Sequence, residues 1–447
     1  MSPSLLLLAL ALVSDPLYAE PLRPQFHFTA AKNWINDPNG LVFYDGVYHL
    51  FFQYNPHGLE SANKSWGHAT STDLVHWAER DIALLPDESG EVWSGSAVVD
   101  ESNTTGFQQG DHKPIVLIYT AAGKRFTQRI AYSVDGAKTF TKHSDPVLEH
   151  IRGGNRDPKV IWHAPMKRWI MTLYLDGADF ALFASPDLKS WTQLQTFTVP
   201  GTDECPDFFE MPIEAESGKT AWVWMAANGQ YLAGEFDGKK FSPEHGFRLP
   251  IASDYCRDFY AGQTFSNMPD GRRVQIAWLR DGKYPGMPFN QQLSFPTTLT
   301  LHRAPDGLRL RRVPVKEIES LHDVAAKSLS DLSSDLLDFT VVIEPGNAKR
   351  VGLRVRGETV AYDVAEKTLS TGSSRALLAP IGGRITLRIL LDCTSIEVFA
   401  NDGVVSLSRC FLPDLNSKIE PPSFFAEGGD AQLISCDGYT LKSAWKK

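Results

Sequence analysis

Three short acidic motifs hold the residues of this chain that could do chemistry. Each sets a carboxylate beside proline, asparagine or glycine, which are residue types that form turns. Each acid is therefore predicted to sit on a tightly bent stretch of backbone. Alone, such an acid is more typical of a turn cap than of a catalytic group, so the relative positions of the three decide the interpretation. The motifs are Trp34–Gly40 with Asp37, Asn155–Pro158 with Asp157, and Asp203–Asp207 with Glu204.

Hydrolysis of a glycosidic bond is a reaction that requires carboxyl groups in pairs. One carboxylate attacks or stabilises the cationic carbon, while the other keeps its proton and gives it to the leaving oxygen. A third carboxylate nearby helps the donor to stay protonated by like-charge repulsion. Arg156 can pair with one acid and keep it ionised, and the longer side chain of Glu204 suits the proton donor.

The first motif is predicted to precede a β-hairpin. An alternating apolar run from Leu41 to Phe52 follows it, broken only by the turn dipeptide Asp45-Gly46. The predicted strands are Leu41–Tyr44 and Val47–Phe52. This would place Asp37 on a rigid turn at the start of a strand, with Trp34 beside it.

A repeat indicates the fold that must position the acids. Four segments each have an aspartate that opens a turn and an aromatic residue four or five positions later, and each follows a strand-like run. No helical periodicity appears between residues 25 and 310, so each unit is predicted to be a propeller blade. A further strand-rich stretch, Phe259–Arg312, makes five blades. The repeated segments are Ser71–Trp77, Ser133–Phe140, Ser185–Trp191 and Glu235–Phe241.

The acidic motifs recur at similar places in this repeat. Asp37 lies 36 residues before Asp73, Asp157 lies 30 before Asp187, and Glu204 lies 33 before Asp237. In the remaining blade, Trp93–Ser96 lies about 40 residues before Asp135. Because equivalent inner-strand positions face the central channel of a propeller, the three acids are predicted to meet at one end of it.

Composition limits the partners of the protein. The chain has 447 residues, a net charge of −9 and 44 Lys and Arg residues without a basic run, which argues against a nucleic-acid partner. The apolar run Leu5–Val13, followed by Ala19, predicts a signal peptide over residues 1–19 and a secreted or periplasmic protein. It is too short to span a bilayer, and no membrane insertion is expected elsewhere. The five cysteines are an odd number, so a dense disulfide framework is not predicted.

The predicted domains are a propeller over residues 22–312, a linker over 313–324 and a β-sandwich over 325–447. Strictly alternating runs such as Asp338–Ile343 and Arg384–Leu391 indicate the sandwich. A sugar-binding role for it is one alternative, but no cluster of exposed aromatics supports that role, so a packed structural domain is favoured. The fold class is therefore all-β, a five-bladed propeller followed by a C-terminal β-sandwich.

Six motifs in order resemble glycoside hydrolase family 32, the family of invertases, inulinases and levanases. The resemblance runs from about Gln25 to Pro296, and Ser395–Gly403 is more faintly similar to the sandwich of that family. The motifs are Trp34–Gly40, Phe51–Pro56, Ser65–Ala69, Ser94–Ala97, Asn155–Val160 and Glu204–Asp207.

The resemblance implies a five-bladed propeller with a sandwich and retention of configuration at the sugar carbon. It implies Asp37 as the nucleophile on C2 of a β-fructofuranosyl unit, Glu204 as general acid/base, and Asp157 as a transition-state stabiliser with Arg156 beside it. No metal or organic cofactor is expected. The positions that match pocket-lining residues of the family are Asn36, Gln53, Trp93 and Ser94, with Tyr260 in a further segment, Asp258–Gln263.

Some positions depart from the family pattern or have a simpler interpretation. Ser61 stands where the family often has a tryptophan, which leaves one wall of the pocket open, and Trp93 could compensate by stacking. Asp203 is an additional acid beside Glu204 and is expected to help it hold a proton. Trp66 is a candidate for sugar contact, although blade core is the favoured interpretation, and Cys205 is favoured as a packed thiol.

The predicted function is a secreted β-fructosidase, exo-acting on levan, inulin or smaller fructosides. The form Gly-Asn-Arg-Asp-Pro-Lys-Val around Asp157 resembles the fructan-degrading members. Endo-levanase, invertase and fructosyltransferase remain alternatives, and the oligomeric state is unknown. A non-catalytic fructan-binding propeller is a more distant alternative, which a missing acid would favour, and no acid is missing.

Overall fold

The computed structural model describes residues 17–445, and nearly all of its regular structure is β-strand. Five sheets occupy residues 33–314 and two more occupy residues 322–441, so the fold is a five-bladed β-propeller followed by a β-sandwich. The predicted signal peptide lies outside the described residues except for its last three positions. Within residues 17–445 no helix is long and apolar enough to cross a membrane. The short 3-10 helices are Ala164–Met166, Lys316–Leu321 and Leu329–Asp331.

Each blade is an antiparallel sheet whose first strand lies innermost. Blade 1 contains β1 (Asn33–Tyr44), β2 (Val47–Asn55), β3 (Ser65–Ser71) and β4 (Ala78–Glu79). Blade 2 contains β5 (Glu91–Val99), β6 (Ile115–Ala122), β7 (Phe126–Ser133) and β8 (Thr141–Lys142). Blade 3 contains β9 (Arg156–His163), β10 (Arg168–Asp176), β11 (Asp179–Ser185) and β12 (Thr192–Thr198).

The remaining two blades carry extra short strands. Blade 4 contains β13 (Asp207–Pro212), β14 (Thr220–Met225), β15 (Gln230–Phe236), β16 (Phe241–Pro243) and β17 (Ile251–Ala252). Blade 5 contains β18 (Phe259–Thr264), β19 (Arg273–Leu279), β20 (Phe289–Asn290), β21 (Gln292–Leu293), β22 (Thr297–Ala304) and β23 (Gly307–Pro314). Of these, β20 leaves blade 5 and pairs in parallel with β1.

The five inner strands form a closed ring. Each of β1, β5, β9 and β13 contacts the inner strand of the next blade, and β18 returns to contact β1. The inner strands therefore surround one channel, in keeping with the predicted five-bladed propeller.

The aspartates of the repeat stabilise the turn that leads to the last strand of each of the first four blades. Asp73 Oδ1 accepts hydrogen bonds from the backbone N–H groups of Val75 and His76 at 3.0 and 2.8 Å. Asp135, Asp187 and Asp237 each accept two backbone N–H bonds in the same way. An aspartate at this position holds the turn because its short side chain reaches the backbone a few residues ahead.

Four of the inner strands contain a β-bulge near their N-terminal ends. In β1 the pairing with β2 shifts by one residue between Ile35 and Pro38, so Asp37 lies inside a strand that begins at Asn33. The prediction that Asp37 sits on a turn before the strand is therefore wrong, because the extra residue is absorbed as a bulge. Pro38 suits this position since it has no N–H group to leave unpaired. The other bulges are at Ser94 in β5, around Asp157 in β9 and around Ala261 in β18.

The sandwich consists of two antiparallel sheets with a shared apolar core. One sheet has the order β24 (His322–Ala326), β34 (Gln432–Leu441), β25 (Leu337–Glu344), β30 (Ile385–Asp392), β31 (Ser395–Ala400) and β32 (Val405–Cys410). The other has the order β29 (Ser374–Leu377), β28 (Thr368–Thr371), β27 (Glu358–Asp363), β26 (Arg350–Val355) and β33 (Ser423–Glu427). The predicted domain boundaries at 312 and 325 stay a prediction. All five cysteines are free, including the three in the sandwich.

A buried cluster of charged groups joins the propeller to the sandwich. His27 precedes β1, and its ring nitrogens lie 2.9 Å from Asp392 Oδ2 and 2.8 Å from Glu397 Oε2. All three side chains are fully buried. Burial lowers the pKa of His27, but its bonds to the two carboxylates outweigh this and raise that pKa to about 9. His27 is therefore an imidazolium that holds two acids of the sandwich.

We expect His27→Gln to destabilise the protein by about 3 kcal/mol or more at pH 6, because it leaves two buried carboxylates without a cation. The raised pKa makes this contribution complete below about pH 6.5, the unfolded value, and removes it as pH rises through about 9. Urea unfolding of both proteins at pH 6 and pH 9.5 measures the difference. If the two proteins differed in unfolding free energy by the same amount at both pH values, the assignment of His27 as an imidazolium would be contradicted.

Candidate active site

A cavity of about 200 Å³ opens at the N-terminal ends of the inner strands. Nine of its lining residues were predicted from the sequence as site residues, so the structure brings together all of the predicted set except Trp66. The other three lining residues are Ser61, Lys64 and Trp278. The nine are Asn36, Asp37, Gln53, Trp93, Ser94, Arg156, Asp157, Glu204 and Tyr260.

Asp37 is held by a short relay of polar groups. The Trp34 indole N–H donates to Asn36 Oδ1 at 2.9 Å, and Asn36 Nδ2 donates to Asp37 Oδ1 at 3.1 Å. The other oxygen, Oδ2, accepts a bond of 2.6 Å from the Ser94 hydroxyl. The bulges in β1 and β5 bring these groups together, because each turns an additional side chain towards the cavity.

Asp157 lies deeper and takes a strained backbone conformation. Its φ angle is 64°, in the left-handed region that a residue with a Cβ rarely adopts, and its N–H donates to Thr120 Oγ1 at 3.0 Å. Asp157 Oδ2 accepts from the backbone N–H of Cys205 at 3.1 Å. The Cys205 thiol lies 3.4 Å from this oxygen and 3.5 Å from Asp37 Oδ2, so it sits between the two aspartates. Burial and the neighbouring Asp157 charge raise the pKa of Cys205, which keeps it a thiol.

Glu204 is held from both sides. Arg156 donates to Oε2 through Nε at 2.9 Å and Nη2 at 2.7 Å, and the Tyr260 hydroxyl lies 2.7 Å from Oε1. Arg156 Nε also lies 3.6 Å from Asp157 Oδ2, so this guanidinium links two of the acids. Tyr260 lies 3.0 Å from Asp203 Oδ2 as well. A phenol has one proton, so it can donate fully to only one of these two carboxylates.

The three acids oppose one another's ionisation. Burial is the first cause that raises the pKa of Asp37, and the charge of Glu204 is the second. The same causes raise the pKa of Asp157 to about 7, against the lowering effect of Arg156. Burial and mutual repulsion therefore favour a proton on one of the two aspartates, and the carboxyl groups of the cluster titrate as a coupled set. Within the described residues, no group of His, Cys, Asp and Glu side chains is arranged to hold a metal ion.

Polar and aromatic groups on the cavity wall can bind a neutral hydroxylated ligand. Gln53 Nε2 donates to the Val92 carbonyl at 3.0 Å, while its Oε1 has no partner within residues 17–445 and can accept from a ligand hydroxyl. The Trp93 ring is anchored by its N–H to Glu91 Oε2 at 3.0 Å. Lys64 Nζ lies 5.8 Å from the centre of that ring and 3.0 Å from Ser61 Oγ. The ammonium group of Lys64 therefore lies beside Ser61 in this wall of the cavity.

Two further residues from the sequence prediction support the cavity without lining it. Trp66 is fully buried, and its N–H donates to the Trp93 carbonyl at 3.0 Å. Gln263 joins blades instead, since it accepts from the Leu41 N–H at 3.2 Å and donates to the Gly95 carbonyl at 3.0 Å. Trp66 is therefore a residue of the blade core, which is the interpretation that the sequence favoured over sugar contact.

Sequence reasoning missed Lys64 and Trp278 as cavity residues. Lys64 precedes the Ser65–Ala69 motif by one position, and that adjacency was an available signal. Trp278 lies on β19, one strand out from the channel, within a regular apolar run that carries no signal of a site.

Asp37, which is bonded to Ser94, and Glu204, which is held by Arg156 and Tyr260, line one cavity and form the pair of carboxyl groups that cleavage of a glycosidic bond requires. Matches to known proteins agree. Residues 27–314 and 307–440 match the family models described as Glycosyl hydrolases family 32 N-terminal domain and Glycosyl hydrolases family 32 C terminal. The chain is 37% identical over 503 aligned positions to the levanase of Bacillus subtilis (strain 168), an alignment covering 98% of this chain and 74% of that protein.

Further relatives match over nearly their full length. The extracellular exo-inulinase inuE of Aspergillus niger is 30% identical over 518 positions, which cover 96% of each protein. The crystal structure of exo-inulinase from Aspergillus awamori superposes with a TM-score of 0.87 at 27% identity, covering 96% of this chain and 100% of that one.

We expect Asp203→Asn to move the alkaline limb of the pH–rate profile for glycoside cleavage to lower pH. The substitution removes a negative charge from the site and leaves a neutral amide, a weaker competitor for the Tyr260 hydroxyl that also contacts Glu204. The rates of Asp203→Asn and of the charge-conserving control Asp203→Glu are measured from pH 4 to 9. An unshifted limb in Asp203→Asn would count against a role for this residue.

Proposed function

The chain belongs to glycosyl hydrolase family 32, and from this premise we propose that Asp37, Glu204 and Asp157 carry out the release of fructose from β-fructofuranosides. The protein is a glycoside hydrolase of the fructan and fructoside class. The observation that supports the residue assignment is the cavity of about 200 Å³, which three carboxyl groups, two amides and two tryptophans line together.

In the proposed first step, Asp37 Oδ attacks C2 of the terminal fructosyl unit. The bond from C2 to the leaving oxygen breaks, and Glu204 gives its proton to that oxygen. In the second step, Glu204, now a carboxylate, takes a proton from water, whose oxygen attacks C2 and releases Asp37. Two displacements return the original configuration at C2. Arg156 and Tyr260 are placed to hold Glu204 in its ionised form between the steps.

Asp157 is proposed to bind fructose hydroxyls and to stabilise the cationic transition state. Its Oδ2 already accepts from the Cys205 backbone, which fixes the orientation of the carboxylate before substrate arrives. Gln53 Oε1 and Asn36 are proposed to bind other hydroxyls of the same sugar. Trp93 is proposed to stack on the apolar face of the fructose ring. The small side chain of Ser61 leaves space in the cavity wall for this contact.

Exo-action is the mode of attack that we propose. The cavity has space for a single terminal sugar, and the relatives that match over 96% of both chains include an extracellular exo-inulinase. The levanase relative supports levan beside inulin as substrate. Export is proposed for the same reason, together with the apolar run Leu5–Val13.

Asp37→Asn is expected to lower kcat by about 10⁴-fold or more, since the amide cannot form the covalent intermediate. Binding of the substrate is expected to change little, because Asn keeps the size of Asp and can still accept from Ser94. Reducing-sugar release and calorimetric binding of a short fructan measure the two effects. Turnover near the level of the unaltered enzyme would refute the nucleophile assignment.

Product analysis tests the mode of attack. Incubation with inulin and with levan is expected to give fructose alone from the earliest time points, because the cavity admits one terminal unit at a time. Chromatography of the products, with sucrose as a small control substrate, measures this. A ladder of oligosaccharides at early times would mean that internal bonds enter the site, and would replace the exo assignment by an endo one.

A further inference from the structure

The central channel has a second mouth, opposite the catalytic cavity. The C-terminal ends of β5, β9 and β13 and the segment after β18 surround a cavity of about 420 Å³ there. Its lining includes Val99, His163 and Asn267, which are at or beyond the ends of their strands, and Glu210 in the second half of β13. Since the catalytic residues occupy the starts of the same strands, the two cavities lie at opposite ends of the inner ring. None of the residues of the proposed mechanism lines this second cavity.

An exposed tryptophan stands in this mouth. Trp162 on β9 is 39% exposed and is the only aromatic side chain of residues 17–445 that is open to solvent to this degree. Its ring packs edge-on against the buried Trp169, with 4.9 Å between ring centres, so it is held rigidly. A rigid exposed indole that projects from a cavity rim offers a flat apolar face for the C–H groups of a sugar.

The polar groups around Trp162 suit hydroxyl groups. His163 is 7% exposed, its Nδ1 has no hydrogen-bond partner within the described residues, and burial lowers its pKa, so its ring is neutral. Arg273 donates to the Glu210 carbonyl at 3.1 Å, but its Nε has no partner in the same part of the chain. Both nitrogens are shielded from solvent, so a ligand meets the hydroxyl and amide groups of the lining instead, among them Ser102 and Asn267, which both donate and accept.

The charges and shape of the mouth exclude other kinds of ligand. Glu101 and Glu210 oppose an anion, while Arg273 opposes a simple cation, so a neutral polar ligand fits the lining. A protein partner usually requires a broad surface of about 800 Å² on each side, whereas this feature is a concave cavity. Its volume is about twice that of the catalytic cavity.

We propose that the Trp162 mouth is a second, non-catalytic carbohydrate site that binds a segment of a neutral fructan chain. The choice of fructan rests on the proposed function, whereas the sugar chemistry rests on the cavity itself. The site would hold a polymer on the enzyme while a chain end is hydrolysed at the opposite mouth. Binding at this mouth involves no covalent step.

The test counts binding events in a protein that cannot consume its ligand. In Asp37→Asn, calorimetric titration with a fructan tetrasaccharide is expected to show two events per chain. Adding Trp162→Ala is expected to weaken one of them about tenfold or more, which is the scale of losing one aromatic contact. Trp162→Phe keeps an aromatic face and is expected to retain both events. Leu377→Ala, which truncates a side chain 76% exposed on the sandwich, is the matched control and should retain both.

Each outcome has one meaning for the second site. A single event in Asp37→Asn, or two events of unchanged strength after Trp162→Ala, would overturn the inference. A change of oligomeric state in Trp162→Ala, without a change in sugar binding, would identify the mouth as a protein contact and would also overturn it. Equal binding of a glucan tetrasaccharide would overturn the fructan assignment. Failure of the proposed function appears separately, as the absence of fructose release by the unaltered enzyme.

Discussion

The β-bulges in four of the inner strands are the constraint on which the active site depends. A regular strand sends alternate side chains to opposite faces, so it presents only every second residue to the channel. A bulge breaks this alternation and gives two neighbouring residues access to the same side. This is why Asn36 and Asp37 both line the cavity, and why Ser94 reaches Asp37 although it follows the cavity residue Trp93. Asp37 and Asp157 both lie at such bulges, whereas Glu204 comes from the loop before β13.

Bringing carboxylates together in a half-buried cavity is unfavourable by itself. The protein offsets the repulsion with Arg156, which contacts two acids, and with uncharged donors such as Ser94, Asn36 and the Cys205 N–H. Uncharged donors orient a carboxylate without neutralising it, so the remaining mutual repulsion raises the pKa values of Asp37 and Asp157. The same arrangement that costs stability therefore provides an acid and a nucleophile in one pocket.

The propeller and the positions of the three acids could be predicted from the sequence because each repeat contains a recognisable turn with an aspartate. The aspartates Asp73, Asp135, Asp187 and Asp237 mark the blades, and counting back from them locates the acids. The bulge at Asp37 could not be read in the same way, since Asp-Pro-Asn-Gly has the composition of a turn and only the pairing with β2 distinguishes the two. Trp278 could not be predicted as a cavity residue for a different reason. It reaches the cavity from the second strand of its blade, whereas counting back from the repeat aspartates locates only residues near the inner strands.

The contact between His27 and the sandwich has a consequence for the order of folding. Apart from β20, which pairs with β1, the strands of each blade are consecutive in the chain, so blades can form largely one after another as the chain is synthesised. His27, by contrast, can bind Asp392 only after that residue has been synthesised, and Asp392 is 365 residues later in the chain. A protein that has completed all five blades therefore still lacks the ion pair that fastens its first segment. Until that late partner is synthesised, the segment around His27 lacks its contacts with the sandwich.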